Sequence, residues 1–158
     1  MGLLISRMRW QVIVGLLGVS AVAVALGVSS HDVAAQAPPT CLGKPATIVG
    51  TNANDTLNGT AGPDVIVGRA GNDTIRGRGR NDLICGNKGA DHLRGHAGND
   101  RMDGGRGDDT LEGNEGADRL KGGDGKDALN GGPNADNCDG GPGAADTAVA
   151  CETTTGVP

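Results

Sequence analysis

Gly104-Gly105-Arg106-Gly107-Asp108-Asp109-Thr110-Leu111-Glu112 and Gly122-Gly123-Asp124-Gly125-Lys126-Asp127-Ala128-Leu129-Asn130 are two copies of one nine-residue unit, Gly-x-x-Gly-x-Asp-x-apolar-x. Extending the register outward keeps an aspartate at every ninth position: Asp55, Asp64, Asp73, Asp82, Asp91, Asp100, Asp109, Asp118, Asp127 and Asp136. A glycine follows each of them by four residues, from Gly59 through to Gly140. An apolar or sulfur side chain follows each by two: Leu57, Ile66, Ile75, Ile84, Leu93, Met102, Leu111, Leu120, Leu129 and Cys138. A period this short and this unbroken predicts a stacked repeat. Carboxylates in a ladder predict cations as partners.

Within a unit, the first six positions read as turn, because glycine supplies backbone angles with positive φ that other residues resist. The last three read as strand, with the middle side chain inward and its neighbours outward. Thr56 and Asn58, Thr74 and Arg76, and Arg119 and Lys121 fit as outward neighbours; Val65 and Val67 are exceptions. The outward positions after each Asp run Thr56, Val65, Thr74, Leu83, His92, Arg101, Thr110, which is no regular threonine ladder. Glycine recurs too often for a helix to propagate. Asn58-Gly59, Asn130-Gly131 and Asp139-Gly140 are hairpin-type dipeptides, but antiparallel hairpins need longer strands and give no reason for the aspartate period. That leaves an all-β parallel solenoid as the ordered option, with disorder as the alternative. A degenerate first unit, Ala46-Thr47-Ile48-Val49-Gly50, opens it, and one extra residue before Asp146 loosens its end.

The rest of the chain bounds the function. Arg7 and Arg9 precede an uncharged apolar run from Trp10 to Val28, and Val33-Ala34-Ala35 offers small residues for cleavage. This predicts a secretory signal at residues 1–35. An uncleaved segment would instead be the only route to a membrane. Residues 36–44 then form an N-terminal cap segment, 45–149 the repeat array, and 150–158 a C-terminal tail. Without Arg7, Arg9 and Asp32 the chain keeps 12 basic and 18 acidic side chains, a formal charge of −6. It also loses Trp10, its one aromatic residue. An acidic chain without aromatics is unsuited to nucleic acid, which needs phosphate neutralisation and base stacking.

Cys41, Cys85, Cys138 and Cys151 are an even set in a chain expected to be secreted, and so read as disulfides. Four cysteines allow three connectivities. Cys138–Cys151 as a terminal clip and Cys41–Cys85 as an N-terminal one are favoured, although spacing leaves the others open. No C-x-x-C pair supports zinc. His92 and His96 occupy different unit positions and are expected to face solvent. No His-Glu-x-x-His motif is present, and serine occurs only at Ser6, Ser20, Ser29 and Ser30, inside the signal segment. The chain therefore reads as no enzyme.

The unit resembles the RTX, or haemolysin-type, calcium-binding nonapeptide repeat, Gly-Gly-x-Gly-x-Asp-x-apolar-x, over about two thirds of the chain. The resemblance implies a right-handed parallel β-roll with two units per 18-residue coil and Ca²⁺ between stacked turns. It implies ligands from the ten ruler aspartates, Asp55 to Asp136. It adds carbonyls of the turn glycines: Gly68, Gly71, Gly86, Gly89, Gly95, Gly98, Gly104, Gly107, Gly113, Gly116, Gly122 and Gly125. Eleven turns, six on one edge and five on the other, allow at most nine sites. Ala53, Arg80 and Asn134 replace the second glycine, and Ala and Arg adopt left-handed geometry less readily than Asn. The best sites are expected around Asp73, Asp91 and Asp109 on one edge, and Asp100 and Asp118 on the other. The implied function is a secreted, extracellular calcium-binding protein that folds on binding. The alternative is a structural or adhesive surface protein that contacts cell-wall or extracellular polysaccharide, with calcium as a folding cofactor.

Overall fold

The computed structural model describes residues 37–143 and 145–157. The expected signal segment lies outside the described residues. A short antiparallel hairpin comes first: β1 (Thr40–Cys41) pairs with β2 (Lys44–Pro45) around Leu42 and Gly43, both at positive φ. Two residues at positive φ match the right-handed twist of a two-residue hairpin loop.

All remaining strands are parallel and alternate between two sheets. One holds seven strands: β3 (Ile48–Val49), β5 (Val65–Ala70), β7 (Leu83–Lys88), β9 (Arg101–Arg106), β11 (Arg119–Asp124), β13 (Asn137–Asp139) and β15 (Thr153–Thr155). The other holds six: β4 (Thr56–Asn58), β6 (Thr74–Gly79), β8 (His92–Ala97), β10 (Thr110–Glu115), β12 (Ala128–Asn130) and β14 (Thr147–Val149). Through most of the stack each residue pairs with the one 18 further on, as Ile66 with Ile84 and Ile75 with Leu93. Two nine-residue units therefore make one coil of a β-solenoid of about six turns. This is the β-roll that the repeat predicts.

The apolar position of each unit supplies the core. Ile66, Ile84, Met102, Leu120 and Cys138 line one sheet, and Ile75, Leu93, Leu111 and Leu129 line the other, each at most 2% exposed. A column of one apolar or sulfur side chain per strand is a thin core.

Two features depart from the sequence reading. The central strands are six residues long, because the ladder runs on through the glycine and two further residues. Val67 is outward yet 2% exposed. It forms a second small core with Cys41 and Cys85, against which Ala46, Val65 and Leu83 pack. The N-terminal hairpin thus covers the outer face of β5 and β7, which explains the apolar exceptions there. The Cys41–Cys85 disulfide holds it, with Cα atoms 5.6 Å apart. Cys138–Cys151 closes the other end, with Cα atoms 6.0 Å apart. Both favoured pairings are present.

Candidate metal centre

The turns between the sheets bring the ruler aspartates into two ladders. On one edge the backbone N–H of Asp55 donates to Oδ1 of Asp73, Asp73 to Asp91, Asp91 to Asp109, Asp109 to Asp127, and Asp127 to Asp146, each at 2.8–2.9 Å. On the other, Asp64 donates to Asp82, Asp82 to Asp100, Asp100 to Asp118, and Asp118 to Asp136, each at 2.7–2.8 Å. Asp146 is the last rung of the first ladder despite the extra residue before it. That position was visible as the end of the Gly140–Asp146 run.

One carboxylate oxygen of each rung is thus committed to holding the next coil. The other is left over. Oδ2 of Asp73, Asp82, Asp91, Asp100, Asp109, Asp118, Asp127, Asp136 and Asp146 is buried and accepts no hydrogen bond. An unpaired buried carboxylate oxygen carries a large desolvation cost, which a cation would offset. Burial pushes the carboxyls of Asp82 and Asp91 up to about 6, and those of Asp100 and Asp109 up to about 7. The N–H of the rung before pulls the other way, and charge repulsion along the ladder adds to the rise.

The glycine at the start of each turn is there for room. A Cβ on Gly86 would run into Oδ2 of Asp91 and lie 2.8 Å from the carbonyl oxygen of Gly104, one coil on. The same pairing of carboxylate and glycine carbonyl recurs at Gly68, Gly95, Gly104 and Gly113. These glycines do not have positive φ; the left-handed positions are the next residue and the fourth of the turn. At the fourth position Arg80 (φ 66°) and Asn134 (φ 93°) both adopt the geometry that Gly89 and Gly107 have. Ala53 does not, because its turn is built differently: Ala53 N–H donates to Thr51 Oγ1 at 3.1 Å.

The expected glycines group by edge. Gly68, Gly71, Gly86, Gly89, Gly104, Gly107, Gly122 and Gly125 belong to the turns of the Asp55–Asp146 ladder, and Gly95, Gly98, Gly113 and Gly116 to those of the Asp64–Asp136 ladder. A further set of turn residues escaped the sequence reading. The side chains of Asn54, Asn72, Asn81, Asn99 and Asp108 each accept the backbone N–H of a residue 18 further on, at 2.8–3.0 Å. All five stand immediately before a ruler aspartate, which was the signal. His92 and His96 lie on β8, partly exposed; His92 accepts from Arg94 Nε at 3.0 Å and lies 3.4 Å from Glu112.

Among the described residues no three His, Cys, Asp or Glu side chains gather as a metal-binding cluster. The available donors are carboxylate and carbonyl oxygens on repeated turns. Hard oxygen donors in irregular number suit Ca²⁺, which takes six to eight of them, better than Mg²⁺ with its strict octahedron. Fold and donor set together define a calcium-binding β-solenoid. The pattern described as RTX calcium-binding nonapeptide repeat (4 copies) matches residues 49–84, 76–111 and 112–144. The chain belongs to this family, whose repeats bind Ca²⁺. RTX repeat proteins are typically extracellular or secreted, and the two disulfides are consistent with that. No curated protein and no solved structure matches the chain.

Proposed function

We propose that this is a secreted protein that binds several Ca²⁺ ions along its two edges and folds as it binds them. The nine buried, unpartnered Oδ2 atoms among the described residues carry the reading. Each belongs to the later member of a pair of turns stacked 18 or 19 residues apart, so every stacked pair contributes one free carboxylate oxygen to an ion. Glycine carbonyls such as those of Gly86, Gly104 and Gly122 stand beside them as further donors. When bound, the ion supplies positive charge where the fold has concentrated negative charge. Without it the thin aliphatic core would have to hold the ladders together against their own repulsion, so binding free energy becomes folding free energy. A calcium titration of the chelated protein, followed by circular dichroism and calorimetry, tests this. Strand signal should rise together with heat of binding. Identical spectra in calcium and chelator would sink the coupling.

A structural or adhesive role is the second reading, and one feature favours it. The 18-residue register collects Thr56, Thr74, Thr110 and Thr147 into a single outer column of the six-stranded sheet, interrupted by His92 and Ala128. Such a row of hydroxyls would suit an extracellular polysaccharide. Retention on cell-wall polysaccharide, lost in a Thr74→Val, Thr110→Val variant with normal calcium binding, is the expected result.

A further inference from the structure

The first rung of each ladder differs from all the others. Oδ2 of Asp55 accepts from the backbone N–H of Thr51 at 2.6 Å and from its hydroxyl at 2.9 Å. Oδ2 of Asp64 accepts from the N–H of Thr60 at 2.7 Å and from its hydroxyl at 3.0 Å. Each hydroxyl is itself fixed, accepting the N–H of Ala53 or of Gly62 at 3.0–3.1 Å. We propose that Thr51 and Thr60 take the place of an ion at the first turn of each ladder, so that the solenoid starts from an ion-independent N-terminal end. This rests on the reading of the Oδ2 atoms as calcium ligands.

The backbone agrees. The residue after the first glycine is left-handed in the later turns, from Arg69 and Arg78 through Asn87 and His96 to Gly141. Thr51 and Thr60 are not left-handed. A β-branched residue resists that region, and the alternative turn aims its N–H and hydroxyl together at the carboxylate. The two donors do for Asp55 and Asp64 what side-chain caps do for exposed backbone ends elsewhere.

Charge points the same way. Residues 37–102 hold eight Lys and Arg against six acidic side chains, all six of them ladder aspartates. Residues 103–158 hold four Lys and Arg against 12 acidic side chains. The formal charges are +2 and −8, so the need for a counter-cation is concentrated in the C-terminal half. Among the described residues, the N-terminal half also has what the C-terminal half lacks: a second apolar cluster around Val67, beneath a hairpin that the Cys41–Cys85 disulfide holds in place. Thr-capped turns, balanced charge and a clamped hairpin together make a nucleus onto which later coils are added as ions arrive.

Two measurements on the full chain with disulfides intact test this. Calcium stoichiometry is compared between an Asp55→Asn, Asp64→Asn variant and an Asp91→Asn, Asp100→Asn variant. The first should bind as many ions as the parent and the second fewer. If both bind fewer, Asp55 and Asp64 are ligands and the inference is overturned while the ladder reading stands. If neither does, the ladder reading itself fails and takes the inference with it. Hydrogen exchange in chelator is the second readout. The amides of Thr51 and Thr60 and of β5 and β7 should stay protected while those of β11 onward exchange freely. A Thr51→Val, Thr60→Val variant should lower the N-terminal protection about fivefold, the scale of a lost cap, without lowering stoichiometry. Uniform loss of protection along the parent chain in chelator would overturn the proposal.

Discussion

The backbone N–H of Asp91 donates to Oδ1 of Asp109, one coil on, at 2.8 Å, while Oδ2 of Asp109 stays buried without a partner. One carboxylate therefore has two separable tasks, joining coils and facing a cation. Asp109→Asn separates them, since the amide oxygen still accepts the Asp91 N–H but the charge is gone. Calcium affinity should fall by at least about tenfold, or roughly 1.4 kcal/mol. In chelator the same variant should be more structured than the parent, because it no longer buries a charge. Asp109→Ala should lose in both conditions. Calorimetry and circular dichroism read the two effects, and an Asn variant weakened in chelator as much as the Ala variant would show that the tasks do not separate.

The ladder carboxyls also set a pH dependence. Burial is the main cause that raises them, to about 6 at Asp82 and Asp91 and about 7 at Asp100 and Asp109. In an unfolded chain aspartate titrates near ~3.9. A carboxyl raised by folding takes up a proton as the chain folds, so its contribution is full below the unfolded value and is lost as pH rises through the folded one. The calcium-depleted protein should therefore gain strand signal as pH falls from about 7 toward 4. Calcium-loaded protein should show the reverse trend, since protons compete for the same oxygens. Far-UV circular dichroism of depleted protein across this window decides it; a signal that stays flat or declines on acidification would count against the buried ladder.

How much of this was legible in the sequence depends on which neighbours matter. The columns of Ile66, Ile84 and Met102, and the two aspartate ladders, follow from the nine-residue period once the resemblance supplies two units per coil, because residues 18 apart then stack. What the first glycine of each turn does was not legible. Local reasoning assigns turn glycines positive φ, which holds at Gly89 and Gly107, whereas Gly86 needs space against Asp91 and against Gly104, contacts made within the turn and between coils. The six-residue strands were missed for the same reason, since left-handed residues such as Asn87 still pair with the next coil. Val67 seemed misplaced only while the hairpin that covers it was unknown. Thr51 and Thr60 carry no signal of their own in the sequence, because their donors meet a carboxylate only once the turn is built.

The glycine argument predicts opposite results for two substitutions one position apart in the unit. Gly86→Ala puts a methyl group against Asp91 Oδ2 and the Gly104 carbonyl. It should destabilise by about 1–3 kcal/mol, the cost of overpacking, and should weaken calcium binding at that turn. Arg78→Gly relieves a left-handed arginine at φ 85°, worth roughly 1–2 kcal/mol before the entropy cost of glycine is subtracted. It should leave stability unchanged or improved. Thermal melts in saturating calcium make the comparison, and a destabilised Arg78→Gly would mean that the arginine side chain has contacts worth more than the strain.

The two disulfides should contribute unequally. Cys41–Cys85 spans 44 residues and Cys138–Cys151 spans 13. In the chain-entropy account a longer closed loop removes more freedom from the unfolded chain, giving about 4 kcal/mol for the first and about 3 kcal/mol for the second. The first also pins the hairpin over Val67, so its loss exposes an apolar face that the second does not guard. Cys41→Ser with Cys85→Ser should therefore lower thermal stability in calcium more than Cys138→Ser with Cys151→Ser. It should also increase binding of an apolar dye, because Val65, Val67 and Leu83 would lie open on the outer face of β5 and β7. Equal losses without dye binding would mean that the hairpin stays docked through its own packing, with the disulfide acting on the unfolded chain alone.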